Sequence, residues 1–193
     1  IPWRQGSSTQ YERVVSEILL QRTRAETVAR VFPSFIASFP SWDSIHCASQ
    51  ESVEEHLKPL GIWKRRSLVL KKLSEELVER DSEFPADRSE LDMLPGVGQY
   101  VGNAVELFVY NRRKPLLDAN MARVIERYIR PRILADIRYD PWLQKMAHYL
   151  VGAGDAVKTN WAILDVGALY CKPRMPECDP CPLKKGCSFK LRS

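Results

Sequence analysis

The sequence predicts an all-α protein, and three observations carry that prediction. Apolar residues recur at helical spacing through most of the chain, strict alternation over four or more residues is scarce, and short joints of Pro, charge and turn formers separate the periodic stretches. The 193 residues are 45% hydrophobic and 27% charged, which supplies a real core and excludes a disordered tail protein. No run of about 18 apolar residues occurs and nothing resembles a signal peptide. No membrane partner is therefore expected, and the expected location is intracellular, cytoplasmic or with the nucleoid if the source is prokaryotic.

In chain order, Val14, Val15, Ile18, Leu19, Leu20, Val28, Val31 and Phe32 place one or two helices over 10–32, with no Gly or Pro inside. The same period returns over 51–57, 67–78, 100–109, 119–129, 141–151 and 155–170. Joints fall at 39–42, 84–88, 111–115 and 131–141. No internal repeat or low-complexity tract is visible.

Charge is unevenly placed. From Cys171 onward the chain holds Lys172, Arg174, Lys184, Lys185, Lys190 and Arg192 against Glu177 and Asp179, which is most of the net charge of +5. A local basic surface on a balanced protein suits a polyanion, because neutralised phosphates release counterions; a solvated tail would look the same. Lys64, Arg65, Arg66, Lys71 and Lys72 form a second basic cluster, partly balanced by Glu75, Glu76 and Glu79.

Cys171, Cys178, Cys181 and Cys187 stand as C-x6-C-x2-C-x5-C, with Pro173, Pro176, Pro180, Pro182 and Gly186 between them. Such a loop has almost no core of its own, so ligand bonds to a metal centre would supply its folding energy. Zinc more usually shows two C-x2-C knuckles, whereas one C-x2-C with longer arms favours a 4Fe-4S cluster. Two disulfides are disfavoured by the lack of secretory signals and by the odd fifth Cys47. Cys47, its neighbour His46, His56 and His148 receive no function.

Leu94-Pro95-Gly96-Val97-Gly98 separates two helical patterns. Two glycines allow a tight turn, and its amides with the following helix N-terminus make an anion site. The order resembles the helix-hairpin-helix element that grips a DNA strand's backbone without reading sequence.

Hairpin and cysteine loop together resemble the helix-hairpin-helix DNA glycosylases of the endonuclease III and MutY superfamily. The likeness runs from Pro2-Trp3-Arg4 through the stretch Ser16 to Thr23, Leu60-Gly61, the hairpin, Leu117-Asp118-Ala119-Asn120 and the cysteines. It implies a six-helix barrel lobe over 14–112 and a cluster lobe from 1–13 and 113–193, with 171–187 the iron-sulfur loop and a DNA groove between the lobes. Double-stranded DNA with a mismatched or damaged base is the implied partner, a monomer the expected state, and an AP endonuclease the expected downstream enzyme.

Breaking an N-glycosidic bond builds positive charge on the sugar, so a fixed anion is needed. Asp118 precedes the helical stretch 119–129 as an N-cap would, and amide donors with the helix dipole should favour its ionised form. In the resembled family it is the essential carboxylate. Glu17 lies in an apolar helical stretch, with Arg13 and Gln21 four residues either way; an ordinary Arg13–Glu17 pair competes with a carboxyl of raised pKa that protonates the leaving base or holds water. MutY-like enzymes carry a functional Glu at the matching position.

Position 100 is Tyr where strand-cutting members of the family carry a Schiff-base Lys, so the resemblance implies simple hydrolysis to an abasic site without efficient AP-lyase activity. Thymine-DNA mismatch glycosylases place Tyr there, which implies thymine or uracil opposite guanine as the target. The short stretch after Cys187 is not expected to include the domain with which MutY enzymes recognise 8-oxoguanine, unless the chain continues beyond Ser193. The competing readings are an adenine DNA glycosylase and a catalytically silent DNA-binding module. Gln21 and Arg22 match the family loop that enters the duplex beside an extruded nucleotide, and Ile62 or Trp63 match a second wedge, against a core role for both. Asn120 matches a contact to the flanking backbone.

Overall fold

In the computed structural model, which describes residues 1–192, two compact units divide the chain at Tyr110 and Asn111. Among the described residues the regular elements are all helical, and no helix is long and apolar enough to cross a membrane.

The first unit opens on a 3-10 turn, Pro2–Arg4. Helix α1 (Gln10–Leu20) starts at Thr9, whose hydroxyl accepts from the Glu12 amide while the Glu12 carboxylate accepts from the Thr9 amide. Helix α2 (Ala25–Ser38) follows after a four-residue break, so the 10–32 stretch resolves into two helices. α2 also runs on past Pro33, because Val31, Phe32 and Phe35 keep its apolar stripe buried across the proline.

Helices α3 (Trp42–Cys47) and α4 (Gln50–Leu57) are capped by the Ser41 and Ser49 hydroxyls. α5 (Trp63–Val78) packs against both, and α7 (Gln99–Phe108) packs against α1. Short α6 (Arg88–Met93) is capped by Asp87. Val14, Ile18, Leu19, Phe35, Leu70, Leu73, Val101 and Val105 share the core of this unit, and so does Trp3.

That placement of Trp3 differs from the division implied by the resemblance. Residues 1–13 fall in the first unit, because Trp3 stacks edge-on against Phe32 at 5.3 Å and is almost wholly buried.

The second unit contains α8 (Ala119–Tyr128), α9 (Pro141–Gly152), α10 (Ala156–Leu169) and a short α11 (Ser188–Arg192). Leu117, Met121, Ala122, Ile125, Leu143 and Ala147 form its core. Buried Asn160 on α10 fastens the extended strap that leads into α8. Its Oδ1 accepts from the Leu116 amide at 2.6 Å and its Nδ2 donates to the Lys114 carbonyl at 3.0 Å.

Candidate active site

Glu17 sits on α1 at 2% exposure, among Val14, Val15, Ile18 and Leu19. An ionised carboxylate so placed is costly without hydrogen bonds. Tyr100, in the first turn of α7, supplies one: its hydroxyl donates to Glu17 Oε2 at 2.7 Å. The two residues are 83 positions apart in sequence and meet because α1 and α7 pack together. Arg13 turns elsewhere, its guanidinium 6.0 Å from the Phe108 ring centre. Carboxylate with phenol thus takes the place of the Arg13–Glu17 surface pair.

Between α6 and α7, Gly96 takes the left-handed conformation at φ +75°, and a Cβ there would lie 2.2 Å from Val69 Cγ1. Only glycine fits that turn. Gly98 is extended and begins α7 without a side-chain cap. Val97, expected among the DNA contacts, is buried, and its amide donates to the Leu94 carbonyl at 3.1 Å. Closing the turn uses that donor, so an anion at the hairpin would be met by the N-terminal end of α7, where the helix dipole is positive.

The chain between α1 and α2 and the chain entering α5 form two neighbouring loops. Arg22 and Ile62 at their tips are left-handed, with φ +56° and +40°, and Gly61 is left-handed at +68°. Arg22 is exposed beyond its neighbours in α1, and Ile62 is 53% exposed, so the core role is excluded for it, whereas Trp63 is partly buried against the first unit's core. Arg66, read from sequence as part of a basic cluster, is buried at 4% exposure. Lys71 of the same cluster donates to the carbonyls of Ile45, His46 and Ala48 at 2.6 to 3.1 Å, closing the C-terminal end of α3.

In the second unit, Asp118 caps α8. Its Oδ1 accepts from the Asn120 and Met121 amides, each at 2.8 Å, and its Oδ2 accepts from Asn120 Nδ2 at 2.9 Å. Sequence reasoning favoured the ionised form, but burial raises the Asp118 pKa by more than these donors and nearby Arg123 lower it. Asn120, expected to touch flanking DNA backbone, here holds Asp118 and accepts from Arg123 Nη2 at 2.7 Å. Gly167 permits this, since a Cβ there would come within 2.9 Å of Asn120 Cβ.

The cysteine loop docks on the same helix. Arg123 Nε donates to the Cys171 carbonyl at 2.5 Å, and Arg127 donates to the carbonyls of Lys172 and Pro173 at 2.7 and 2.8 Å and to Cys171 Sγ at 3.4 Å. Cys171, Cys178, Cys181 and Cys187 form no disulfide, and all four line one partly open cavity of about 30 Å³. Among the described residues no three His, Cys, Asp or Glu side chains converge tightly enough for a single metal ion. Four thiols on one short loop, with the Arg127 guanidinium beside Cys171 Sγ, are the donor chemistry a polynuclear iron centre takes, one thiolate per iron.

The structure thus brings Glu17 to Tyr100 and Asp118 to Asn120, while Arg123 and Arg127 of the same helix hold the cysteine loop. Sequence reasoning missed Arg66, Arg123 and Arg127. Arginines at helical spacing read as solvated charge, and only their carbonyl partners, up to 48 positions away, distinguish them.

The chain is similar to the thymine/uracil-DNA glycosylase of Pyrobaculum aerophilum, 35% identical over 95% of this chain and 81% of that protein. It is also similar to the adenine DNA glycosylase of Buchnera aphidicola, 30% identical over 100% of this chain and 54% of that protein. Among solved structures, a thermostable thymine-DNA glycosylase superposes with a TM-score of 0.88 at 28% identity, covering 100% of this chain and 89% of the other. Residues 15–132 match the pattern shared by the HhH-GPD superfamily of base excision DNA repair proteins, and to that family this chain belongs.

Proposed function

We propose that this protein is a DNA glycosylase that extrudes thymine or uracil mispaired with guanine and hydrolyses its N-glycosidic bond, leaving an abasic site. The observation that carries the reading is the buried Glu17 carboxylate with the Tyr100 hydroxyl 2.7 Å from it. A carboxyl in that setting can give a proton to a departing base or hold the attacking water, and the phenol fixes which oxygen is engaged. The thymine/uracil specificity of the similar proteins supports the choice of base.

Asp118 supplies the anion for the cationic sugar, with Asn120 and the α8 amides fixing both of its oxygens. With Tyr at position 100 no amine stands there to attack the sugar, so hydrolysis rather than strand cleavage follows. The hairpin amides and the Lys- and Arg-rich chain after Cys171 would bind phosphate.

Cys171, Cys178, Cys181 and Cys187 would hold a 4Fe-4S cluster, whose contribution when bound is to order the loop and its basic surface. Purified protein should then contain about four irons and four acid-labile sulfides per chain, and stoichiometric zinc would replace that assignment.

The deciding experiment is single-turnover excision on otherwise identical duplexes with G·T, G·U, A·8-oxoguanine or A·G, read with and without alkali. Alkali-dependent cleavage at T or U opposite G is expected. A second reading, adenine excision, is favoured by the similarity to adenine DNA glycosylases along the whole chain, and preferential cleavage at A would establish it instead. Further processing of the abasic site would pass to an AP endonuclease.

A further inference from the structure

The Arg66 guanidinium is buried, yet its partners are neutral oxygens. Nη2 donates to the Gln21 carbonyl at 2.7 Å and to Thr23 Oγ1 at 3.0 Å, both on the loop after α1. Nη1 donates to the Gly61 carbonyl at 3.2 Å and the Leu60 carbonyl at 3.4 Å, both on the loop before α5. Each nitrogen of the fork therefore serves one loop. Thr23 Oγ1 also donates directly to the Leu60 carbonyl at 3.0 Å, so the loops are tied twice.

The bonded carbonyls are informative. Gln21 O belongs to the peptide that precedes Arg22, and Gly61 O to the peptide that precedes Ile62, the two exposed residues held at φ +56° and +40°. L-residues rarely adopt such angles, a β-branched one least of all, and the conformation persists only where surrounding contacts over-determine it. One planar, rigid guanidinium orients both peptide planes and so both tips.

We infer that Arg66 is a positioning residue that joins the 21–23 and 60–62 loops into one bracket, aiming Arg22 and Ile62 together at the base stack beside the extruded nucleotide. This rests on the glycosylase reading above. A bracket acts only while the stack must be opened, so it should matter little once the target base is already unpaired.

The test compares single-turnover excision on a G·T pair in an otherwise paired duplex with the same G·T pair inside a three-pair bubble. Arg66→Lys keeps the charge but cannot serve both loops; Thr23→Val cuts the direct tie and covers the case in which the Arg66 variant folds poorly. Both should lose about 10-fold or more on the paired duplex and less than about 3-fold on the bubble, the gap reflecting the unstacking that the bubble has already supplied. In the Arg66→Lys background, Ile62→Ala should cost almost nothing further on the paired duplex, although it slows the wild type. Equal losses on both duplexes, or additive losses in the double variant, overturn the bracket and leave Arg66 with a merely structural role. A wild type inactive on every G·T and G·U duplex would instead remove the glycosylase reading on which the bracket stands.

Discussion

Asp118→Asn is expected to leave a folded protein that binds DNA but excises T or U about 10³-fold more slowly or worse, because the variant lacks the charge that offsets the cationic sugar. Asn is as good an N-cap as Asp, so its Oδ1 can still take the Asn120 and Met121 amides that Asp118 Oδ1 takes now. A silent binding module would be unaffected in every assay, and retained excision would remove Asp118 from the chemistry. The raised pKa adds a second readout. A carboxyl whose native pKa exceeds its unfolded value binds its proton more tightly when folded. That stabilisation is complete below the unfolded value of 3.8 and is lost as pH rises through the native one. At pH 7 the ionised Asp118 therefore costs stability, and the Asn variant should melt at or above the wild type, with the difference closing in acid. Thermal unfolding of both proteins between pH 4 and 8 measures this. Excision by the wild type should rise with pH through the same raised pKa.

Glu17→Gln should slow excision by about 10²- to 10⁴-fold, the range of a positioned proton donor or base. The amide oxygen of the variant can still accept from Tyr100, so a small change in melting temperature should accompany the large change in rate. If Tyr100 works by holding Glu17, Tyr100→Phe should slow the wild type by about 10-fold yet add less than about 2-fold in the Glu17→Gln background. Near wild-type single-turnover rates in Glu17→Gln would leave Asp118 as the sole carboxylate of the reaction and sink the acid–base role.

Much of this was legible in the residues themselves. The long helices announce their apolar period, Asp118 its capping position, and Gly96 its turn, because each of those signals is local. Helices α3 and α6 were not legible: six residues each, with Trp42 and Ile45 buried in one and Leu91 in the other, give no period to read. The Glu17–Tyr100 bond depends on packing between helices at opposite ends of the first unit's sequence. Arg66 escapes sequence reasoning for a different reason. A charged residue counts as exposed until its partners are seen, and its partners are mostly backbone carbonyls, which any sequence possesses. The sign of the Asp118 shift was missed because spacing shows the donors but not the depth of burial they work against.

Trp3 carries a consequence for biosynthesis. Since it lies in the core with α1, α2 and α5, residues 1–110 form one uninterrupted unit and 111–193 another. Each draws its core from one continuous stretch of the described residues. A ribosome releases residues in order, and domains made of continuous sequence fold as they emerge. Glu17 and Tyr100 can meet while α8 is still being made, and the cysteine loop is the last of the named sites to leave the exit tunnel. Loading of the proposed cluster would then fall at the end of synthesis, after the first unit has emerged.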